Sequence, residues 1–76
     1  MRIPLETVGA IRNSDKTDHR VLASDDAGNT GGLLIYEWWL GSNGPNANAA
    51  FDSWVADRRE LQQFFEEAAW DVAWSA

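Results

Sequence analysis

The sequence predicts an α+β fold: a small antiparallel sheet of four or five strands with one helix, from the C-terminal half of the chain, packed on one face (β-β-β-(β)-α-β). Three observations predict it. A capped segment with helical spacing of its apolar residues begins at Asp57, segments of alternating polarity lie before and after it, and stretches rich in Gly, Asn and Asp separate those segments. The 76 residues suffice for a single small domain, 1–76.

The helix is the element that the sequence specifies most fully. Asp57 stands three residues before Glu60, and in this arrangement each side chain can accept a hydrogen bond from a free backbone N–H at the helix start. The apolar residues that follow are three or four positions apart and form one stripe: Leu61, Phe64, Phe65 and Ala68. We therefore expect the helix to begin after Asp57 and to bury Phe65 in the core.

Alternating or continuous apolar residues predict the strands, which lie in residues 2–12, 19–24, 33–40 and 70–74. Pro4 has no N–H to donate, so the first strand should start at a sheet edge or in a gap in its pairing. The turn-forming residues 24–32 should join the second and third strands as a hairpin, and residues 41–50 should form a long loop.

Residues 51–55 have two interpretations. They form either a short strand with Phe51 and Val55 pointing inward, or the first turn of a longer helix capped by Asp52. In the longer helix Arg58 would fall on the apolar stripe, so the strand is the preferred interpretation.

The composition excludes several classes of protein. The absence of cysteine rules out disulfides and thiolate metal sites. Twelve acidic and six basic residues give a net charge of −6, so direct nucleic-acid binding is not expected and a basic partner is favoured. No apolar run approaches the ~20 residues that span a bilayer, and the N-terminus lacks the apolar segment of a secretory signal. We expect a cytoplasmic protein with no membrane contact. Acidity that only keeps a small protein soluble is the alternative interpretation of the charge.

No arrangement of residues predicts catalysis, so an enzyme is not expected. The sequence has no nucleophile elbow, Cys–His pair or phosphate-binding loop. The single histidine, His19, follows Asp18 in a polar turn and should be exposed, with no second histidine to complete a metal-ligand spacing. Asp25, Asp26 and Asn29 do not follow the order of a calcium loop. Neither a cofactor nor a metal is therefore expected.

The candidate site is the sheet face that the helix leaves uncovered. We expect the helix to cover a set of apolar side chains: Tyr36, Trp38, Phe51, Val55, Trp70, Val72 and Trp74. The opposite face would then collect tryptophans among carboxylates: Glu37, Trp39, Asp52, Trp54 and Asp71. Trp39 is the expected anchor, because tryptophan is enriched at binding hot spots. In the alternative interpretation, Trp39 and Trp54 pack on one another or under the loop 41–50.

These expectations favour a small acidic, non-catalytic protein-binding module or inhibitor that uses the patch against a basic protein surface. Immunity proteins, antitoxins and anti-defence proteins are of this physical type, and mimicry of nucleic acid by spaced carboxylates is a special case. The alternative is a homo-oligomeric structural protein, such as a homodimer, whose uncovered face pairs with its own copy and has no dedicated partner. The molecular mass in solution distinguishes the two hypotheses.

Overall fold

The computed structural model describes residues 3–44 and 50–75 and confirms the predicted α+β architecture. Its elements follow in the predicted order: β1 (Val8–Ile11), β2 (Arg20–Asp26), β3 (Gly32–Trp38), β4 (Phe51–Val55), α1 (Arg58–Ala68) and β5 (Val72–Trp74). The five strands form one antiparallel sheet in the order β4-β3-β2-β1-β5. The chain leaves the sheet at one edge strand, β4, and returns at the other, β5, so the intervening helix lies across one face.

The start of α1 is built by the predicted capping residues. The Asp57 carboxylate accepts a hydrogen bond from the backbone N–H of Glu60 at 3.0 Å, and the Glu60 carboxylate accepts one from Ala56 at 2.8 Å. Residues 51–55 form the strand β4 rather than an earlier helical turn. The predicted helix start is therefore confirmed, and so is the strand interpretation of the segment before it. Val55 is buried as predicted, whereas Phe51 remains 41% exposed.

The end of α1 is held by the turn that follows β1. Ala69 adopts the left-handed conformation, with φ of 56°, and its N–H donates to the carbonyl of Glu66. The Asn13 side chain then donates to the Ala69 carbonyl at 2.8 Å and accepts from the Asp71 N–H at 2.9 Å. These bonds satisfy backbone groups between the helix and β5, and they place β5 beside β1.

The core lies between α1 and one face of the sheet, here called the covered face. The helix contributes Leu61 and Phe65, which are 1% and 3% exposed. Side chains paired across neighbouring strands share a face, and the buried ones on the sheet are Ile11, Val21, Ala23, Leu33, Ile35 and Val55. The prediction that Phe65 belongs to the core is confirmed.

The predicted orientation of β3 is wrong. Tyr36 and Trp38 lie on the face opposite the helix, whereas Glu37 shares the covered face with Leu33 and Ile35. A strand cannot turn one side chain without its i±2 neighbours, so burial of the two aliphatic residues carries Glu37 with them. Glu37 tolerates this position because it lies at the end of the strand and contacts His19.

Several element bounds differ from the predicted ones. The first strand begins at Val8, and its predicted start at Arg2 lies outside the described residues, as do residues 45–49 of the predicted loop. The last strand begins at Val72, so Trp70 precedes it and packs partly buried against the core. Within residues 3–44 and 50–75, no helix has the length and apolarity to cross a membrane.

Candidate functional site

The face opposite the helix, here called the open face, carries mostly apolar and aromatic side chains. They come from four of the strands: Val8, Ala10, Leu22, Leu34, Tyr36, Trp38 and Trp54. All of them retain contact with solvent, and the side chain of Trp54 is the most exposed, at 51%. The helix can cover only one face of the sheet, so the open face keeps an aromatic patch at the surface.

Trp54 is held in place at one end of the open face. Its indole N–H donates to the Thr30 hydroxyl at 3.0 Å. Its ring packs closely on Gly32. A Cβ added at that position would lie 2.6 Å from the indole nitrogen. Trp54 is thus an exposed aromatic side chain with a fixed orientation, which lowers the entropy lost when a partner binds.

The charges around the open face are mainly negative. Asp52 is exposed and lies opposite Tyr36 in the register of β3 and β4. Glu6 accepts hydrogen bonds from the Ser24 hydroxyl and from the backbone of Asp25. Within the described part of the chain, the ion pairs include no cation at Asp52 or Glu6.

Asp26 adds a further carboxylate at the end of β2, opposite Gly32. One of its carboxylate oxygens is buried and has no hydrogen-bond partner among the described residues. Arg20, which lies on this face opposite Trp38, is paired with Asp18, with 2.6 Å between guanidinium and carboxylate. The open face therefore presents aromatic area within an acidic border.

A second feature is a partly buried hydrogen-bonded network on the covered side of the sheet, here called the histidine network: Ser14, His19 and Glu37. His19 Nδ1 lies 2.6 Å from the Ser14 hydroxyl oxygen, and Nε2 lies 2.6 Å from a carboxylate oxygen of Glu37. The prediction of an exposed turn histidine is wrong, because the His19 side chain is only 5% exposed.

Aromatic rings enclose the imidazole. Trp39 and Trp70 both meet His19 edge-on, with ring centroids 5.4 Å and 6.0 Å from it. Trp39 in turn stacks on Phe51, at 5.3 Å between ring centroids, and the Lys16 ammonium lies 5.1 Å from the Trp39 ring centroid. The network is therefore fixed from several sides and largely shielded from water.

The structure does not bring the five predicted site residues together. Asp52 and Trp54 lie on the open face, as expected. Glu37 belongs to the histidine network, and Trp39 follows β3 and is half-buried between His19 and Phe51. Asp71 lies before β5 at the far edge of the sheet, where its carboxylate pairs with Arg12 at 3.0 Å. The predicted patch is therefore divided among three places.

The burial of His19 could have been predicted from the alternation of residues in β2. His19 has the same strand parity as Val21 and Ala23, which are fully buried, whereas the alternate positions include Arg20 and Ser24. His19 lies two residues before Val21, so the same alternation places the imidazole on the covered face, beside the end of β3. Its pairing with Glu37 joins positions 18 residues apart and is therefore not visible as a local motif.

Among the described residues, no three His, Asp or Glu side chains are arranged to hold a metal ion. Comparison of the chain with protein-family models, with curated proteins and with solved structures found no match.

Proposed function

We propose that this protein is a small, acidic, non-catalytic binding module, of inhibitor type, whose open face engages a basic surface of another protein. The observation that carries the proposal is the aromatic patch of the open face, with Tyr36, Trp38 and Trp54 left at the surface of a 76-residue domain. Exposed apolar patches bordered by polar residues are typical of interaction sites. Aromatic side chains at the centre of such a patch supply most of the binding free energy.

The charge distribution favours a basic partner. Asp52 and Glu6 have no cation near them among the described residues, and the chain as a whole carries a net charge of −6. A partner with lysine or arginine around an apolar protrusion would pair with these carboxylates while its protrusion covers Tyr36 and Trp38. The acidic border would mainly accelerate association, and the aromatic centre would mainly slow dissociation.

The same charges argue against a second copy of the chain as the occupant. Face-to-face pairing would bring two acidic borders together, and juxtaposed like charges at an interface cost several kcal/mol. A homodimer through the open face is therefore the weaker hypothesis, and it gives a different result in the experiment below.

The experiment is site-specific photo-crosslinking in the native cell. A benzoylphenylalanine replaces Tyr36 on the open face. In the control it replaces Phe51, an aromatic residue of the covered side that is 41% exposed. We expect the probe at position 36 to capture one defined basic protein and the probe at position 51 to capture none.

The captured protein is then purified and its affinity measured by calorimetry. Trp38→Ala should weaken binding at least tenfold, about 1.4 kcal/mol, while Phe51→Ala leaves it unchanged. Asp52→Lys should slow association and reduce its dependence on salt. Crosslinks from position 36 only to a second copy of the chain, or equal losses from Trp38→Ala and Phe51→Ala, would contradict the proposal.

A further inference from the structure

The histidine network ends on a serine hydroxyl, and it is separate from the open face. Ser14 lies half-buried in the turn between β1 and β2, whereas His19 and its contact with Glu37 lie behind it. The three side chains form one continuous hydrogen-bonded line, with both distances at 2.6 Å.

The donors and acceptors in this line assign a direction to its protons. The Glu37 carboxylate can only accept, so Nε2 of His19 carries the proton and donates it. In the tautomer that carries its proton on Nε2, Nδ1 is an acceptor, and the Ser14 hydroxyl donates to it. The Ser14 oxygen in turn accepts a hydrogen bond from the backbone N–H of Lys16 at 3.0 Å.

This arrangement has the parts of an activated nucleophile. A hydroxyl gains reactivity when a base lies within hydrogen-bonding distance and a third group orients that base. Here Glu37 orients the imidazole, and the edges of Trp39 and Trp70 restrain its rotation. The Ser14 hydroxyl is half-buried, whereas the His19 side chain behind it is only 5% exposed.

We propose that Ser14 is a covalent modification site that accepts an acyl or phosphonyl group from an activated donor. The Ser14 oxygen attacks the electrophilic carbon or phosphorus atom, and the bond from that atom to the leaving group breaks. The hydroxyl proton passes to Nδ1 of His19 and then to the leaving group. With an acyl donor RCO–X, the products are the Ser14 ester and HX.

Glu37 has a positioning role in this step. Its carboxylate accepts a hydrogen bond from Nε2–H and stabilises the positive charge that the imidazole acquires while it holds the serine proton. The reaction is a single transfer to the protein and needs no turnover, so it is compatible with a non-catalytic binding module.

The chain contains a matched internal control, Ser24. It is also half-buried, but its hydroxyl donates directly to the Glu6 carboxylate, at 2.9 Å and 3.0 Å from the two oxygens, with no imidazole between them. A carboxylate is a much weaker base than an imidazole, so Ser24 should react slowly with the same donor.

In the test, the purified 76-residue chain is treated with a fluorophosphonate probe, and the adduct is followed by intact mass and peptide mass spectrometry. We expect Ser14 to be labelled about a hundredfold faster than Ser24, the range that a positioned general base supplies. Ser14→Ala should abolish the main adduct, and His19→Gln should reduce the labelling rate of Ser14 to that of Ser24.

Glu37→Gln provides a second variant that keeps the size of the side chain and a hydrogen-bond partner for His19. It should slow the labelling of Ser14 by at least tenfold while the protein retains its folded NMR spectrum. Equal labelling of Ser14 and Ser24 in the unmodified chain would overturn the proposal. An unchanged labelling rate of Ser14 in folded Glu37→Gln protein would also overturn the proposal. Either result is what a purely structural network would give.

Discussion

Both faces of the sheet carry apolar side chains, but one face packs against the helix and the other remains at the surface. On the covered face, aliphatic residues such as Val21 and Ile35 are 0% and 1% exposed and pack under the helix. On the open face, Leu22 and Tyr36 sit at neighbouring positions of the same two strands and remain partly exposed. Hydrophobic composition alone does not separate the faces, because both are apolar.

The two faces differ in whether their charged residues have partners within the chain. On the covered face, Glu37 has an internal partner in His19. Asp52 on the open face has exposed carboxylate oxygens and no cation among the described residues. A face whose polar groups are satisfied within the chain stabilises the fold. A face whose carboxylates remain without cations can gain free energy from a partner.

The largest expected difference between the faces comes from truncating one aromatic residue on each side. Phe65 is 3% exposed and its ring contacts Trp70 and Trp74, with centroids 5.3 Å and 5.9 Å away. Phe65→Ala should cost roughly 3–5 kcal/mol of unfolding free energy, because it removes a large buried side chain and leaves a cavity. Small domains often have a total stability of only about 5 kcal/mol, so we expect this change to remove most of the stability of the fold.

The matched variant is Trp54→Ala on the open face, where the side chain is 51% exposed. It should lower the free energy of unfolding much less than Phe65→Ala, in urea titrations of both variants. If the two variants lose similar stability, the open face belongs to the core and the proposed interaction surface loses its support.

The helix was predictable from the sequence because its signals are local. Asp57 and Glu60 are three residues apart, and the stripe that includes Leu61 and Phe65 follows directly. The strand order at the sheet edges was not predictable in this way. The β1–β5 pairing joins Gly9 to Trp74, and contacts over such separations leave no local pattern.

The orientation of β3 was mispredicted because both of its faces are apolar. Glu37 shares its side with Leu33 and Ile35, so this one charged residue made that side look solvent-facing and favoured burial of Tyr36 and Trp38. The alternation in the neighbouring strand β2 indicates the correct orientation, since the side opposite to Val21 and Ala23 includes Arg20 and Ser24. Hairpin pairing transfers that orientation to β3, and the candidate site changes sides with it.

A smaller difference between the faces should appear at two adjacent residues of β1. A Cβ at Gly9, on the covered face, would lie 2.4 Å from a methyl carbon of Val72 and 2.8 Å from the Trp74 ring. Gly9→Ala should therefore cost about 1–3 kcal/mol through overpacking against β5. Ala10→Ser, one residue later on the open face, should change stability by no more than about 0.5 kcal/mol. Thermal unfolding of both variants tests this, and a Gly9→Ala protein as stable as the parent would show that β5 is not packed tightly on β1.

The smallest expected effect concerns the cap of the helix that covers one face. The Asp57 carboxylate accepts the Glu60 N–H at 3.0 Å, so Asp57→Ala leaves a backbone donor at the helix start without its partner. The variant should lose about 0.5–2 kcal/mol of unfolding free energy, and Asp57→Ser should recover most of it because serine also caps helices. Asp52→Ala removes an exposed carboxylate from the open face instead, and should leave stability within about 0.5 kcal/mol of the parent. Chemical unfolding of the three variants therefore separates a carboxylate that stabilises the covered face from one that is free to meet a partner. Equal losses of unfolding free energy for Asp57→Ala and Asp52→Ala would show that both carboxylates act through the net charge of the chain. The two faces would then not differ in the role of their carboxylates.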